Sequence, residues 1–172
     1  GGHASGPLLL MAALLGYRSA IWEPNAMPGM ANRILARFVD DCWVVFDEAR
    51  ENLHGKNLHL AGMPVRREIE DVPATKRAEK KPLRILIFGG SQGARGINNT
   101  TLAMVREGGE WLKDVHIVHQ TGPYDFPRIK AEYEALPSVP PVDVREYLHD
   151  MDFQYAQADL VVCRSGTGTL SE

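Results

Sequence analysis

"LRILIFGGSQGARGIN", from Leu83 to Asn98, is the stretch on which the reading of this chain turns. The run "RILIF" is apolar and rich in β-branched residues, the composition of a buried strand. It breaks into Gly89, Gly90 and Gly93, with small polar residues between them, and a helical pattern begins at Ala94. A backbone stripped of side chains between a strand and a helix suits a phosphate. The first N–H groups of a helix have no partner within it, its dipole favours an anion there, and glycine lets those amides come close. No Lys-Ser or Lys-Thr follows the last glycine, so this is not a Walker A loop. The spacing is not G-x-G-x-x-G either, which disfavours a nicotinamide or flavin dinucleotide site. A turn suited to a diphosphate carried by another group remains, beside the plainer reading of a packing turn.

Outward from this loop, strands and helices alternate. Downstream, Ala94 to Val105 reads as a helix with Ile97, Leu102 and Val105 on one side. "VHIVHQ" (115–120) reads as a strand, Asp125 to Leu136 as a charged helix ending before Pro137, and "VDVREY" (142–147) as a third strand. Met151 to Ala158 reads as a short helix and "LVVC" (160–163) as a fourth strand, apolar enough for burial on both faces. Such alternation implies right-handed crossovers and a parallel sheet. Upstream, "LLLMAALL" (Leu8–Leu15), between Pro7 and Gly16, predicts a short buried helix. "SAIW" leads a strand to Glu23, Met30 to Val39 suits a helix with Ile34, Leu35 and Phe38 as its apolar set, and "CWVVF" and "LHLAG" are further strands. Between Pro64 and Pro82 the apolar content collapses into a charge run that reads as a solvated linker.

The 172 residues are 44% hydrophobic and 24% charged, ordinary values for a globular protein. A formal charge of −3 and the lack of a long basic run argue against nucleic acid as a partner. Cys42 and Cys163 sit in apolar runs without metal-ligand spacing and read as buried free thiols. The longest apolar run is too short to span a bilayer. The chain opens without Met and closes on "SGTGTLSE", where a helix is starting, and so reads as an excerpt of a longer protein.

In open parallel sheets, ligands sit beyond the carboxyl ends of the strands, where the topology switches. This chain places "GGHASGP", "EPN", "GMPVR", "GGSQGA", "EYLHDM" and "CRSGTGTLSE" at those ends, rich in backbone and hydroxyl donors and sparse in carboxylates for a metal. "GGSQGAR", then "YLHDM" and "ADLVVCRSGTGTLSE", resemble the nucleotide-sugar half of the MurG family of N-acetylglucosaminyltransferases of bacterial cell-wall synthesis. "GGHASGP", "WEPN" and "GMPVR" fall in the family's order, so the resemblance covers essentially the whole chain.

The resemblance implies a GT-B type α/β fold, with two doubly wound, Rossmann-like parallel-sheet domains. Residues 1–66 would be the end of the acceptor-side domain, 67–82 a linker, and 83–172 the first part of the UDP-sugar-binding domain. It implies an inverting transfer of N-acetylglucosamine from UDP-N-acetylglucosamine to an undecaprenyl-diphosphate-linked muramoyl-pentapeptide, by a peripheral enzyme at the cytoplasmic membrane surface. By the same resemblance Asn25 and Arg66 are donor contacts, Ser91 meets the donor's diphosphate, and Leu148 lies against the uracil. Thr167, Gly168, Thr169, Leu170, Ser171 and Glu172 surround the nucleotide, with Glu172 on the ribose hydroxyls. Gly1, Gly2 and Ser5 belong to a loop facing the acceptor's diphosphate, and Gly89, Gly90 and Gly93 form the phosphate loop. The catalytic base is expected upstream of Gly1, so the excerpt alone is expected to be inactive. No tightly bound cofactor or metal is implied, and a divalent cation is at most stimulatory.

Physical reasoning agrees where it applies, since a carboxylate suits a vicinal diol and helix-start amides suit a diphosphate. On the residues alone, Glu172 also reads as a first-turn helix acid, Arg66 as a solvated charge and Asn25 as a turn residue. His3, His116 and His119 have no partner pattern; the last two read as strand residues without chemistry. The family's usual His-Glu-Gln-Asn is Trp22-Glu23-Pro24-Asn25 here, Met63 replaces an Asn, Thr167 an Ala, and His3 an aromatic residue. A related GT-B enzyme with another acceptor and a non-catalytic nucleotide-binding module stay open on the sequence.

Overall fold

The structure is a computed structural model that describes residues 5–72, 82–136 and 142–172. It divides into two compact units, Gly1–Pro64 and Val65–Glu172.

In the first unit, α1 (Ser5–Leu14), β1 (Ala20–Glu23), α2 (Met30–Leu35), β2 (Asp41–Val44), α3 (Ala49–Asn52) and β3 (Asn57–Leu60) follow in sequence. The strands form a parallel sheet in the order β1-β2-β3, in register at Ile21, Cys42 and Leu58. Its core is Ile21, Leu35, Ala36, Val39, Cys42, Val44, Ala49 and Leu53.

Two expectations for this unit are corrected. The Leu8–Leu15 helix is not buried: Leu9 and Leu10 pack on the core, while Leu8, Met11, Leu14 and Leu15 are exposed. The run is apolar around its whole circumference, yet only one face of α1 meets the sheet, so composition overstates burial. The second helix ends at Leu35, and Ile34 and Phe38 are exposed. The Phe38 and Val39 amides both donate to Leu35 O, at 2.9 and 3.1 Å, and this tightening brings Ala36 and Val39 inward.

The second unit begins with α4 (Arg67–Glu70), whose Ile69 is buried. This helix lies in the stretch expected as linker, of which residues 73–81 are outside the described residues. There follow β4 (Leu83–Phe88), α5 (Arg95–Glu107), a 3-10 turn at Glu110–Asp114, β5 (Val115–Gln120), α6 (Phe126–Glu134), β6 (Val142–Arg145), α7 (Met151–Gln157), β7 (Leu160–Cys163) and α8 (Thr167–Ser171). The four strands are parallel in the order β6-β5-β4-β7.

Side-chain alternation along β4 and β5 explains why this sheet is covered on both sides. Ile87, Val115 and Ile117 point to one face, where Leu102 and Val105 of α5 and Ile129 and Tyr133 of α6 complete a core. Leu86, Phe88 and Val118 point to the other, against Leu148 and, on α7, Met151 and Tyr155. Burial of each such aliphatic side chain contributes about 2 kcal/mol.

Here the expectation for "LVVC" fails. Among the described residues the strand, β7, is last in the sheet order and pairs with β4 alone, and Leu160, Val161 and Val162 are exposed. An apolar run identifies a strand without saying how many neighbours it has. Cys42 is buried, Cys163 is partly buried, and both are free thiols.

Candidate functional site

The chain runs from β4 to β5 to β6 in one direction and then returns to place β7 on the far side of β4. The ends of β4 and β7 therefore flank the topological switch, where open α/β sheets bind ligands. A pocket opens there, lined by Arg66, Phe88, Gly90, Ser91, Gln120, Tyr147, Leu148, Met151, Thr169 and Glu172.

Its floor is the loop that follows β4. Gly90 and Gly93 have φ of +89° and +75°, a region L side chains rarely adopt, and the Gly93 amide donates to Gly90 O at 2.9 Å. A side chain on Gly89 would collide with Ala94, so this turn can be no wider than glycine makes it. Ala94 stands at the N-cap of α5 without a side-chain cap, and Ser91 is exposed at the pocket. The turn thus offers this pocket an exposed hydroxyl, while Gly93, Ala94 and Arg95 at the start of the 13-residue helix line a second pocket with Asn98, Thr121 and Asp125. Unpartnered helix-start amides suit an anion.

The opposite wall holds a carboxylate between two donors. Arg66 donates from Nη2 to Glu172 Oε1 at 3.2 Å, and Tyr155 donates from its hydroxyl to Glu172 Oε2 at 3.2 Å. Tyr155 is fixed in turn by an edge-on contact with Phe88, ring centroids 6.2 Å apart. Burial, and then the Glu172 carboxylate, push the Tyr155 phenol well above its usual pKa, so it stays protonated and donates.

Of the residues expected from the sequence, the structure brings Arg66, Ser91, Leu148, Thr169 and Glu172 to one pocket, with Gly90 in its floor. Leu148 is 6% exposed, its side chain packed with Leu86, Phe88 and Val118, so what it offers a ligand is the edge of the core. Thr167, Gly168, Leu170 and Ser171 lie on α8 but do not line the pocket; Leu170 is exposed, and the Ser171 hydroxyl donates to Thr167 O within the helix. Gly1 and Gly2, like His3, lie outside the described residues, and Ser5 is described only as the first residue of α1.

Asn25 belongs to the first unit. Its amide and its side-chain Nδ2 donate to Glu23 Oε1 at 3.0 and 2.9 Å, while Gly29 N and Asn32 Nδ2 each donate to Oε2 at 2.9 Å. Glu23 is thus a buried carboxylate with four donors. Burial pushes its pKa up, and the hydrogen bonds led by the Asn25 and Gly29 amides more than offset this and hold it below the usual value.

Sequence reasoning missed Glu23 and Tyr155. Glu23 ends a strand one residue before a proline, where a solvated carboxylate is the ordinary expectation. Tyr155 had a signal: it lies four residues after Met151 on α7, and so on the helix face that the pocket uses. His119, expected to be an ordinary strand residue, is fully buried with both ring nitrogens hydrogen-bonded.

Comparison with known proteins places this geometry in context. Residues 84–172 match the glycosyltransferase family 28 C-terminal domain. The whole chain is 48% identical to the UDP-N-acetylglucosamine–N-acetylmuramyl-(pentapeptide) pyrophosphoryl-undecaprenol N-acetylglucosamine transferase of Bdellovibrio bacteriovorus, covering 47% of it. It is 40% identical to the proteins of the same name from an Anaeromyxobacter species and from Myxococcus xanthus, covering 45% and 44% of them. The chain therefore spans about half the length of these relatives. Among solved structures, MurG of Acinetobacter baumannii superposes with a TM-score of 0.69 at 30% identity, over 99% of this chain and 46% of that one. The glycotransferase of kitacinnamycin superposes with a TM-score of 0.56 at 16% identity, over 97% and 52%, a likeness of fold alone.

Proposed function

This chain belongs to glycosyltransferase family 28, with a parallel α/β fold of the GT-B type, and from that premise we propose that it is part of an N-acetylglucosaminyltransferase of peptidoglycan synthesis. The donor is UDP-N-acetylglucosamine and the acceptor an undecaprenyl-diphosphate-linked muramoyl-pentapeptide, the pair that the relatives' names describe. The observation that carries the reading is the convergence of Ser91, Leu148, Thr169, Glu172 and Arg66 on one pocket at the switch between β4 and β7.

In this reading the acceptor hydroxyl attacks the anomeric carbon, its proton passes to a base, and UDP leaves with the bonding electrons. The negative charge growing on the diphosphate falls to Ser91 and the amides of the Gly89–Gly93 turn and the α5 start. Glu172, held by Arg66 and Tyr155, takes the ribose diol, and Leu148 borders the uracil. Asn25, oriented by Glu23, serves the donor's sugar. Gly1, Gly2 and Ser5 serve the acceptor's diphosphate; no residue of this chain is assigned as the base, and no tightly bound metal is assigned either. No described helix is long and apolar enough to cross a membrane, and the lipid-linked acceptor is met at the cytoplasmic membrane surface.

The test is release of UDP from UDP-N-acetylglucosamine by the full-length protein, with and without a lipid-diphosphate acceptor and with UDP-glucose as control donor. Acceptor-dependent release from the N-acetyl sugar is expected. Binding of UDP without any such release would favour a non-catalytic nucleotide module, and failure to bind UDP would overturn the reading.

A further inference from the structure

Beneath the phosphate loop lies a chain of buried polar groups that the reading above does not use. Asn98, one turn into α5, is fully buried, as is His119 of β5. Asn98 Nδ2 donates to Thr121 O and to Asp125 Oδ2, each at 2.9 Å, which uses both of its hydrogens. Its Oδ1, 3.1 Å from His119 Nε2, can therefore only accept. That fixes the tautomer: Nε2 carries the proton, Nδ1 bears a lone pair, and the Tyr133 hydroxyl, 3.1 Å from Nδ1, donates to it.

A second observation joins this network to the loop. Gly93, at φ +75°, lies so close to Thr121 that a Cβ would overlap the Thr121 carbonyl, and a Cβ on Gly122 would overlap the Gln92 carbonyl. The carbonyl of Thr121, which crowds Gly93, is also the one that accepts from Asn98. Thr121 and Gly122 are tied to the end of β6, their amides donating to Arg145 O at 2.9 Å and Glu146 O at 3.1 Å.

We infer that His119, acting through Asn98, is a positioning residue that sets the height and angle of the diphosphate-binding turn against the ends of β5 and β6. The inference rests on the diphosphate reading of that turn. His119 touches no ligand; it orients the Asn98 amide, Asn98 holds Thr121, and the Thr121 backbone is the surface on which Gly93 rests. Burial lowers the His119 pKa to about 4, so the network keeps one protonation pattern at neutral pH. Removing the ring leaves the Asn98 carbonyl without its buried donor and frees the amide to rotate, and the turn loses its backstop.

The test compares affinities for UDP and for uridine in the full-length protein, by calorimetry at neutral pH. A general loss of stability weakens both ligands; a displaced turn weakens only the one that carries phosphates. His119→Leu and Asn98→Ala are expected to cut the preference for UDP over uridine about tenfold, the equivalent of one strong hydrogen bond, and to change uridine affinity less than about twofold. His119→Gln, whose amide nitrogen overlays Nε2, is expected to restore the preference. Where His119→Leu does not fold, Tyr133→Phe and His119→Gln decide by the same ratio, with the Phe variant falling about threefold. An unchanged preference in these variants, or equal weakening of both ligands, overturns the inference. A wild-type protein that binds uridine and UDP alike overturns the diphosphate reading beneath it as well.

Discussion

Arg66 and Glu172 are 106 residues apart in sequence, and the guanidinium donates to the carboxylate at 3.2 Å. Arg66 is half exposed, so the pair adds at most about 1 kcal/mol to stability. Its consequence is orientation: with Tyr155 on the second oxygen, the carboxylate of Glu172 is held before a ligand arrives. In the full-length protein, Glu172→Ala is expected to weaken UDP binding by about 1–3 kcal/mol, with a smaller loss for Tyr155→Phe. 2′,3′-Dideoxy-UDP, which lacks the diol, should show no loss in either variant. Equal losses for both nucleotides would place the carboxylate away from the ribose.

Ser91 provides the matching prediction on the other wall. It is exposed at the end of β4 and lines the same pocket. Ser91→Ala should leave the unfolding midpoint unchanged and weaken UDP by about 1–3 kcal/mol, the value of a hydrogen bond to a charged partner. Uridine affinity should stay the same, and a loss there would argue against a diphosphate contact.

Two glycines three residues apart should respond in opposite directions. Gly93 has a positive φ and its Cβ would overlap Thr121 O; Gly96, on α5, has nothing within 4 Å of the corresponding position. Gly93→Ala is expected to cost on the order of 3 kcal/mol. Gly96→Ala should stabilise by about 0.5–1 kcal/mol, the helix preference for alanine over glycine. Urea unfolding measures both, and a tolerated Gly93→Ala would remove the argument that the loop is packed on the backbone of Thr121.

Much of the second unit was legible because its information is local. The continuous apolar run of "RILIF" and the strand pattern of "VHIVHQ" located β4 and β5, and the glycines after Phe88 marked the turn that the pocket uses. Exposure was not legible. "LVVC" and "LLLMAALL" are as apolar as core segments, but burial depends on what packs against an element, and among the described residues β7 has one strand neighbour while α1 has one covered face. The residues that hold others in place were hidden for a similar reason. Glu23 and His119 each act on partners that only the fold brings near: Gly29 and Asn32 for the first, Asn98 and Tyr133 for the second.

Glu23 carries a prediction about acid. Its carboxylate is stabilised in the folded protein, its pKa held below the model-compound value of 4.5. A depressed acid contributes stability that is present above the unfolded pKa and is lost as pH falls through the folded one. The contribution of this residue should therefore be intact at pH 5 and above and fade below about 4.5. Glu23→Ala leaves four donors without their shared acceptor, at a cost on the order of 3 kcal/mol at neutral pH. Urea midpoints of the variant and the parent should converge as pH drops; a constant gap would mean that the carboxylate is not ionised in its cradle.

His119 produces a loss in a higher window. In the unfolded chain it takes a proton near pH 6.5, whereas in the fold burial delays this to about pH 4. Between those values the unfolded state binds a proton that the folded state refuses, so stability falls as pH is lowered. The effect is absent above about pH 7 and complete near pH 4, and it amounts to on the order of 3 kcal/mol. His116 adds to the same slope, its pKa lowered by burial first and by Arg84 second. Substituting His119 by Gln, which does not titrate, should therefore remove most of the decline between pH 7 and pH 5 and leave what His116 supplies. The measurement is the urea midpoint at half-unit intervals over that range. It stops above the region in which Glu23, Asp41 and Asp125, all with depressed pKa values, begin to protonate. A parent protein with a flat profile from pH 7 to pH 5 would mean that His119 takes its proton in the fold as readily as in the unfolded chain. Each protonation would then turn the Tyr133 hydroxyl from donor to acceptor at Nδ1, while Nε2 went on donating to the Asn98 carbonyl.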